Sequence, residues 1–145
     1  MDQIDQGLQQ RVWQRVQGGD AGPSLQAMAV RERTAAAAYL MLSRQMQGRA
    51  KDLLRQLYHR AQTHSRYLNG MNVLLEGRPL AVRTVPPEGS RPTVLLSRCY
   101  AEALKAAADY EHRAADSQMG AVFARMAREE RENCAMLLEI LGQPG

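Results

Sequence analysis

Apolar side chains recur every three or four positions along most of the 145-residue chain, which is the period of a helix. Leu8, Val12 and Val16, with Trp13 beside them, predict a short amphipathic helix over about 3–17, stopped by the glycines and proline of 18–23. A second helix is predicted from near Ser24 to about Gln47. Its broad face carries Leu25, Met28, Ala29, Glu32, Ala35, Ala36, Tyr39 and Leu42, and the alanine run 35–38 has high helix propensity. Gly48 then allows a reversal. The third helix should run from about Arg49 to Glu76, with Leu53, Leu54, Leu57, Ala61, His64, Leu68, Met71 and Leu75 as its stripe and Gly77 as its stop. Gly70 inside it costs about 1 kcal/mol relative to alanine, which close packing against a neighbour would explain.

The stretch 77–92 breaks the pattern. Pro79, Pro86, Pro87 and Pro92 exclude a helix there and favour an extended or polyproline course, long enough to travel the length of a bundle. Thr93 reads as the N-cap of a fourth helix ending near Ala115, with Leu96, Cys99, Tyr100, Ala103, Ala106, Ala107 and Tyr110 inward. After a break at 116–118, a fifth helix over about 119–141 places Val122, Phe123, Met126, Ala127, Glu130, Cys134, Leu137, Leu138 and Leu141 inward. The predicted order is hairpin, long crossover, hairpin. The expected division is an N-terminal helix and linker over 1–22 and an all-α bundle over 23–145.

Composition narrows this picture. The length suits one domain with a substantial core, and aromatics are only 5% of an alanine- and leucine-rich chain. The net charge of +4 is uneven. Between Arg31 and Arg91 basic residues outnumber acidic ones 11 to 4, whereas from Arg98 onward the ratio is 6 to 8. Arg44, Arg49, Lys51, Arg55 and Arg60 could therefore attract an anion or nucleic acid, although a solvated helix face is the expected reading and nucleic acid is not an expected partner. Cys99 and Cys134 form no Cys-x-x-Cys pair and read as reduced, apolar core residues. No apolar run reaches the ~20 residues that span a membrane, and the polar N-terminus is no targeting peptide. The expected location is cytoplasmic.

The candidate chemistry sits in the fifth helix. In Glu130-Arg131-Glu132-Asn133, Glu130 and Asn133 are three apart, so both leave one helix face, about 60° apart. The spacing is that of a Glu-x-x-His metal motif with asparagine in place of histidine. The two hairpins are weakly alike. Tyr110 corresponds to Tyr39, Ala103 to Glu32, His64 to Asn133 and Ala61 to Glu130, with Glu102 next to the position of Ala103. Without metal, Glu32, His64 and Glu130 would form a buried polar network with Tyr39, Tyr110 and Asn133. His59 and His112 lie on polar faces.

The helix order, the crossover, Glu32 with Tyr39, His64 followed by Arg66 and Leu68, the ending Leu74-Leu75-Glu76-Gly77 and the run 129–133 resemble the ferritin-like superfamily, and within it the rubrerythrin-type di-iron proteins. The resemblance implies a ferritin-like four-helix bundle in which two helices each supply a carboxylate and two each supply a Glu-x-x-His pair. Carried over, Glu32, His64 and Glu130 stand at ligand positions. Ala61, Ala103 and Asn133 stand where three further ligands would be, with Glu102 as a weaker substitute. Two irons need about four carboxylates to offset their charge in a low-dielectric core. The resemblance therefore implies a degenerate site, holding no metal or one iron, manganese or zinc ion, with Tyr39, Tyr110 and Asn133 as supporting residues. The expected function is a non-catalytic structural or interaction module, dimeric through helix faces or the N-terminal helix. The alternatives are an iron-dependent peroxidase or ferroxidase, and an anion or nucleic-acid binder through the basic middle. A rubredoxin-type Cys-x-x-Cys iron domain, often present in rubrerythrins, is absent from the sequence.

Overall fold

The structure is a computed structural model and describes residues 22–83, 87, 89, 91–116 and 118–143. The helix expected over 3–17 lies outside the described residues. Among those residues the regular structure is entirely helical: α1 Leu25–Gln45, α2 Gly48–Glu76, α3 Pro92–Asp116 and α4 Gly120–Leu141. No helix among them is long and apolar enough to cross a membrane.

Local chemistry sets the helix ends. Ser24 caps α1, its Oγ accepting from the Ala27 N–H at 3.1 Å, which satisfies one of the donors a helix start leaves free. Gly77 ends α2 in the left-handed region at φ 77°, and its N–H donates to the Val73 carbonyl at 2.9 Å, a conformation open to glycine at little cost. α3 begins at Pro92 rather than after Thr93. Proline at the first helical position loses no hydrogen bond and arrives with its φ already set, so Thr93 lies within the first turn instead of capping it. Between α3 and α4 the chain turns so tightly that a Cβ on Gly120 would lie 2.7 Å from the Ala114 carbonyl oxygen.

The helices form two hairpins. α1 packs chiefly on α2 and α3 on α4; the hairpins meet through α2 with α4 and α1 with α3. The crossover is tied back to the first hairpin. Leu80 N–H donates to Asn69 Oδ1 at 2.8 Å, Asn72 Nδ2 donates to the Arg78 carbonyl at 2.9 Å, and Gln26 Nε2 donates to the Ala81 carbonyl at 2.6 Å.

The apolar core falls into two clusters. One holds Leu42, Leu53, Leu54, Leu57, Leu95, Leu96, Leu137 and Ile140; the other holds Met28, Leu68, Met71, Tyr110, Phe123 and Met126. Burying such a side chain stabilises the fold by about 1.5–3 kcal/mol. Along each helix the clusters meet at the level of Glu32, His64, Ala103 and Glu130, so a polar layer crosses the middle of the bundle. Both cysteines are free and buried. Two stripe positions differ from expectation: Leu75 is 54% and Leu138 52% exposed. Leu75 lies in the last turn of α2, where neighbouring helices no longer cover it, whereas Leu138 lies on the outer side of α4, whose last turn buries Leu137 and Ile140 instead. Gly70 is exposed, and a Cβ there would meet nothing within 4 Å; among the described residues it serves no close packing.

Candidate metal centre

Three helices each contribute one residue to the polar layer. Glu32 comes from α1, His64 from α2 and Glu130 from α4, with exposures of 3%, 0% and 4%. One ligand atom from each lies within 4.8 Å of the other two. His64 Nδ1 is 3.2 Å from Glu32 Oε2 and 3.0 Å from Glu130 Oε2. The other ring nitrogen, Nε2, is 2.8 Å from Glu129 Oε1. The histidine thus faces three carboxylates, two through one nitrogen and one through the other.

A second set of groups holds these carboxylates in place. The Tyr110 hydroxyl donates to Glu32 Oε2 at 2.5 Å. Asn133 Nδ2 donates to Glu130 Oε1 at 3.1 Å, the role expected of an asparagine at that position. Arg60 Nη1 donates to Asn133 Oδ1 at 3.0 Å and to the Glu129 carbonyl at 3.3 Å. Arg125 Nε donates to Glu129 Oε2 at 3.1 Å. Arg31 reaches Asp109 at 2.7 Å, and its guanidinium carbon lies 5.6 Å from the centroid of the Tyr110 ring, a cation–π arrangement. Among the described residues Arg31 Nε and Nη2 are buried with no hydrogen-bond partner.

The electrostatics follow from burial and charge. Burial opposes a charge on His64, but the hydrogen bonds and charges of Glu130 and Glu32 outweigh it and push the imidazole up to about 11. Burial and the facing charge of Glu32 push Glu130 up to about 7. Burial acts the same way on Glu32, yet its hydrogen bonds to His64 and Tyr110 hold it below the usual range. Of the two facing carboxylates Glu130 is therefore the one that takes a proton more readily. Burial and the two carboxylate charges raise Tyr110 well above an ordinary tyrosine, so its hydroxyl remains a donor.

This arrangement has two chemical states. With both nitrogens protonated, His64 is an imidazolium clamped among Glu32, Glu130 and Glu129. With the proton on Nε2 alone and donated to Glu129, the Nδ1 lone pair points at the place where the Glu32 and Glu130 oxygens converge. One nitrogen and two carboxylate oxygens from three helices then form a donor set suited to zinc, manganese or iron. A carboxylate on the far nitrogen is the common device for fixing a ligating histidine's tautomer. A proton and a metal ion would compete for one position. Beside Glu32 and Glu130, away from His64, a cavity of about 10 Å³ is lined by Tyr39, Ala103, Ala106 and Asn133, roughly the space of one water.

A pair of metals does not fit these residues. Ala61 and Ala103 are buried and carry no donor, and the Asn133 amide is engaged by Glu130 and Arg60. Glu102 stands outside the group of three. It edges the small cavity, but its side chain is 45% exposed and lies 3.8 Å from Lys105. The hydroxyl that reaches a carboxylate is that of Tyr110; Tyr39 lines the cavity from within the apolar cluster. His59 and His112 are exposed. The basic face expected in the middle of the chain is partly neutralised, because Arg49 pairs with Glu139 and Arg60 with Glu132.

Glu129 and Arg60 belong to the site and were not expected there. A signal for Glu129 existed: it lies three residues after Met126 and four before Asn133, both inward, so it borders the buried face of α4. Nothing local marked Arg60, whose partners are 69 and 73 residues away.

A scan against protein-family models, a search of curated proteins and a search of solved structures each found no match to the chain.

Proposed function

We propose that this chain is a helical module holding one divalent transition-metal ion between Glu32, His64 and Glu130, with a structural or interaction role rather than a redox one. The observation that carries the reading is the division of His64: Nε2 is held by Glu129, while Nδ1 faces two buried carboxylates. On this reading the bundle is ferritin-like and rubrerythrin-like in descent, and the second metal position has been closed by Ala61, Ala103 and Asn133. An iron peroxidase or ferroxidase would need the carboxylates that those positions lack. A homodimer and a cytoplasmic location belong to the same proposal; the exposed Val94 and Leu104 of α3 and Leu138 of α4 support the dimer, which sedimentation velocity would measure.

Charge balance supports a single ion. Two carboxylates and a neutral histidine match one divalent cation, whereas a second would add two positive charges to a low-dielectric core. An ion that binds only the folded chain stabilises it by about 2.7 kcal/mol at a hundredfold excess over its dissociation constant. Thermal melts in chelator and in zinc, manganese or anaerobic ferrous iron provide the test. The proposal expects a metal-dependent rise in melting temperature that disappears in Glu130→Gln. Equal melts with and without metal would contradict it.

A further inference from the structure

Beside the buried layer, on the outer side of the first hairpin, α1, α2 and the crossover enclose a second feature. Ala29 and Arg33 of α1 are four residues apart. Gln62, Ser65, Arg66 and Asn69 of α2 are spaced by three, one and three. Each set therefore occupies one helix face, and the two faces wall a cleft of about 320 Å³ that Pro79, Leu80 and Val82 of the crossover close from the third side. Its size falls at the lower end of small-molecule sites, roughly 300–1,000 Å³.

The polar groups in this cleft are mostly donors. Arg33 and Arg66 bring two guanidinium groups, and among the described residues no carboxylate lines the cleft. Neither arginine has an acidic residue three or four positions away on its own helix (Ala29, Val30, Ala36 and Ala37 flank Arg33; Gln62, Thr63, Asn69 and Gly70 flank Arg66). This differs from Arg31, Arg49, Arg60, Arg125 and Arg131, each of which meets a carboxylate. Asn69 is held in place because its Oδ1 accepts from Leu80 N–H, which leaves its amide N–H groups as donors. Ser65 is buried and adds a hydroxyl. The cleft's remaining surface, from Ala29, Pro79, Leu80 and Val82, is apolar.

We propose that this cleft binds a small organic anion, a phosphate or carboxylate group carried on a compact apolar body. The oxyanion sits between Arg33 and Arg66, whose planar guanidinium groups match the paired oxygens of either group. Asn69 and Ser65 supply neutral hydrogen bonds, and the apolar body lies against Leu80 and Val82. The site uses none of Glu32, His64 or Glu130, so it stands or falls apart from the metal proposal.

The test is calorimetric titration of the full chain with phenyl phosphate, benzoate, inorganic phosphate and neutral phenol. The proposal expects saturable one-to-one binding of phenyl phosphate or benzoate, and the preferred one identifies the oxyanion. Inorganic phosphate should bind more weakly than phenyl phosphate, and phenol should not bind. Arg33→Gln and Arg66→Gln should each weaken binding about tenfold or more, the loss of roughly one charge-assisted contact. Both side chains are exposed, so these variants should melt like the parent, and a melt of each verifies it. Arg128→Gln, on the other hairpin, should bind as the parent does. Absence of saturable binding to both organic anions would overturn the proposal, and so would an equal loss in Arg128→Gln, which would show attraction to net charge alone.

Discussion

The two hairpins bury polar groups at the same level of the bundle by different chemistry. The first supplies Glu32 and His64, an acid and a base that balance each other across α1 and α2. The second supplies Glu130 and Asn133, an acid and a neutral amide on the same helix, with Ala103 opposite. One hairpin carries a titrating cation; the other carries at that level a group that never titrates. The lesson is that one histidine carries the charge balance for both halves. Among the described residues Glu130 has no cationic partner of its own hairpin in the core and depends on His64 from across the bundle.

The largest expected effect separates the hairpins directly. In metal-free protein His64→Ala leaves two facing carboxylates buried without their cation, and removing one partner of a buried pair costs about 3–5 kcal/mol. Asn133→Ala in the second hairpin leaves Glu130 and Arg60 each short of one hydrogen bond, at about 1–3 kcal/mol. Urea unfolding of both variants should rank them in that order, and equal costs would erase the distinction drawn between the halves.

The next effect is a dependence on pH that differs between the two forms of the protein. His64 is raised to about 11 in the fold, above its unfolded value of about 6.5. Its contribution to stability is therefore complete below about pH 6.5 and is lost as pH climbs toward 11. Glu130, raised to about 7, loses its contribution over the range from about 4.5 to 7 by the same sign. Metal-free protein should thus melt lower as pH rises from about 7 to 9, and a variant lacking His64 should lose most of that slope. Metal binding displaces protons, so the stabilisation by added zinc should grow over the same interval. Melts in chelator and in zinc at matched pH would show whether the zinc curve stays level while the chelator curve falls; parallel slopes would mean that proton and metal do not share a position.

Smaller effects mark what lies outside the site. Gly70→Ala should stabilise the chain by about 0.5–1 kcal/mol, since the helix gains propensity and the new Cβ meets open space. Glu102→Gln should change stability by no more than about 0.5 kcal/mol and leave metal affinity unaltered. A large loss of metal affinity in Glu102→Gln would move that carboxylate into the centre and make the second hairpin a fuller contributor.

Helical periodicity, glycine stops and the proline-rich crossover made the four described helices legible, because each signal acts within a few residues. The ends were less so: a proline at the first helical position looked like part of the loop, exposed Leu75 continued an apolar stripe past the point where neighbours cover it, and Ile140 rather than Leu138 takes the inward position at the end of α4. Glu32, His64 and Glu130 could be singled out because helical spacing put them on inward faces. Which hydroxyl would reach Glu32 could not, since Tyr39 and Tyr110 have similar inward positions and only the packing of α3 on α1 decides between them. Arg60 was equally hidden: in sequence it belongs to a run of surface cations, and its contact with Asn133 exists only once α2 lies on α4.

The central claim is most directly tested by counting metal. Purified chain is loaded separately with zinc, manganese and anaerobic ferrous iron, desalted and assayed for metal per chain, alongside Glu130→Gln and the pair of variants Glu32→Gln and His64→Ala. The account predicts close to one ion per chain for at least one of these metals, lost in each variant. Two ions per chain, or one ion that survives Glu130→Gln, would contradict it.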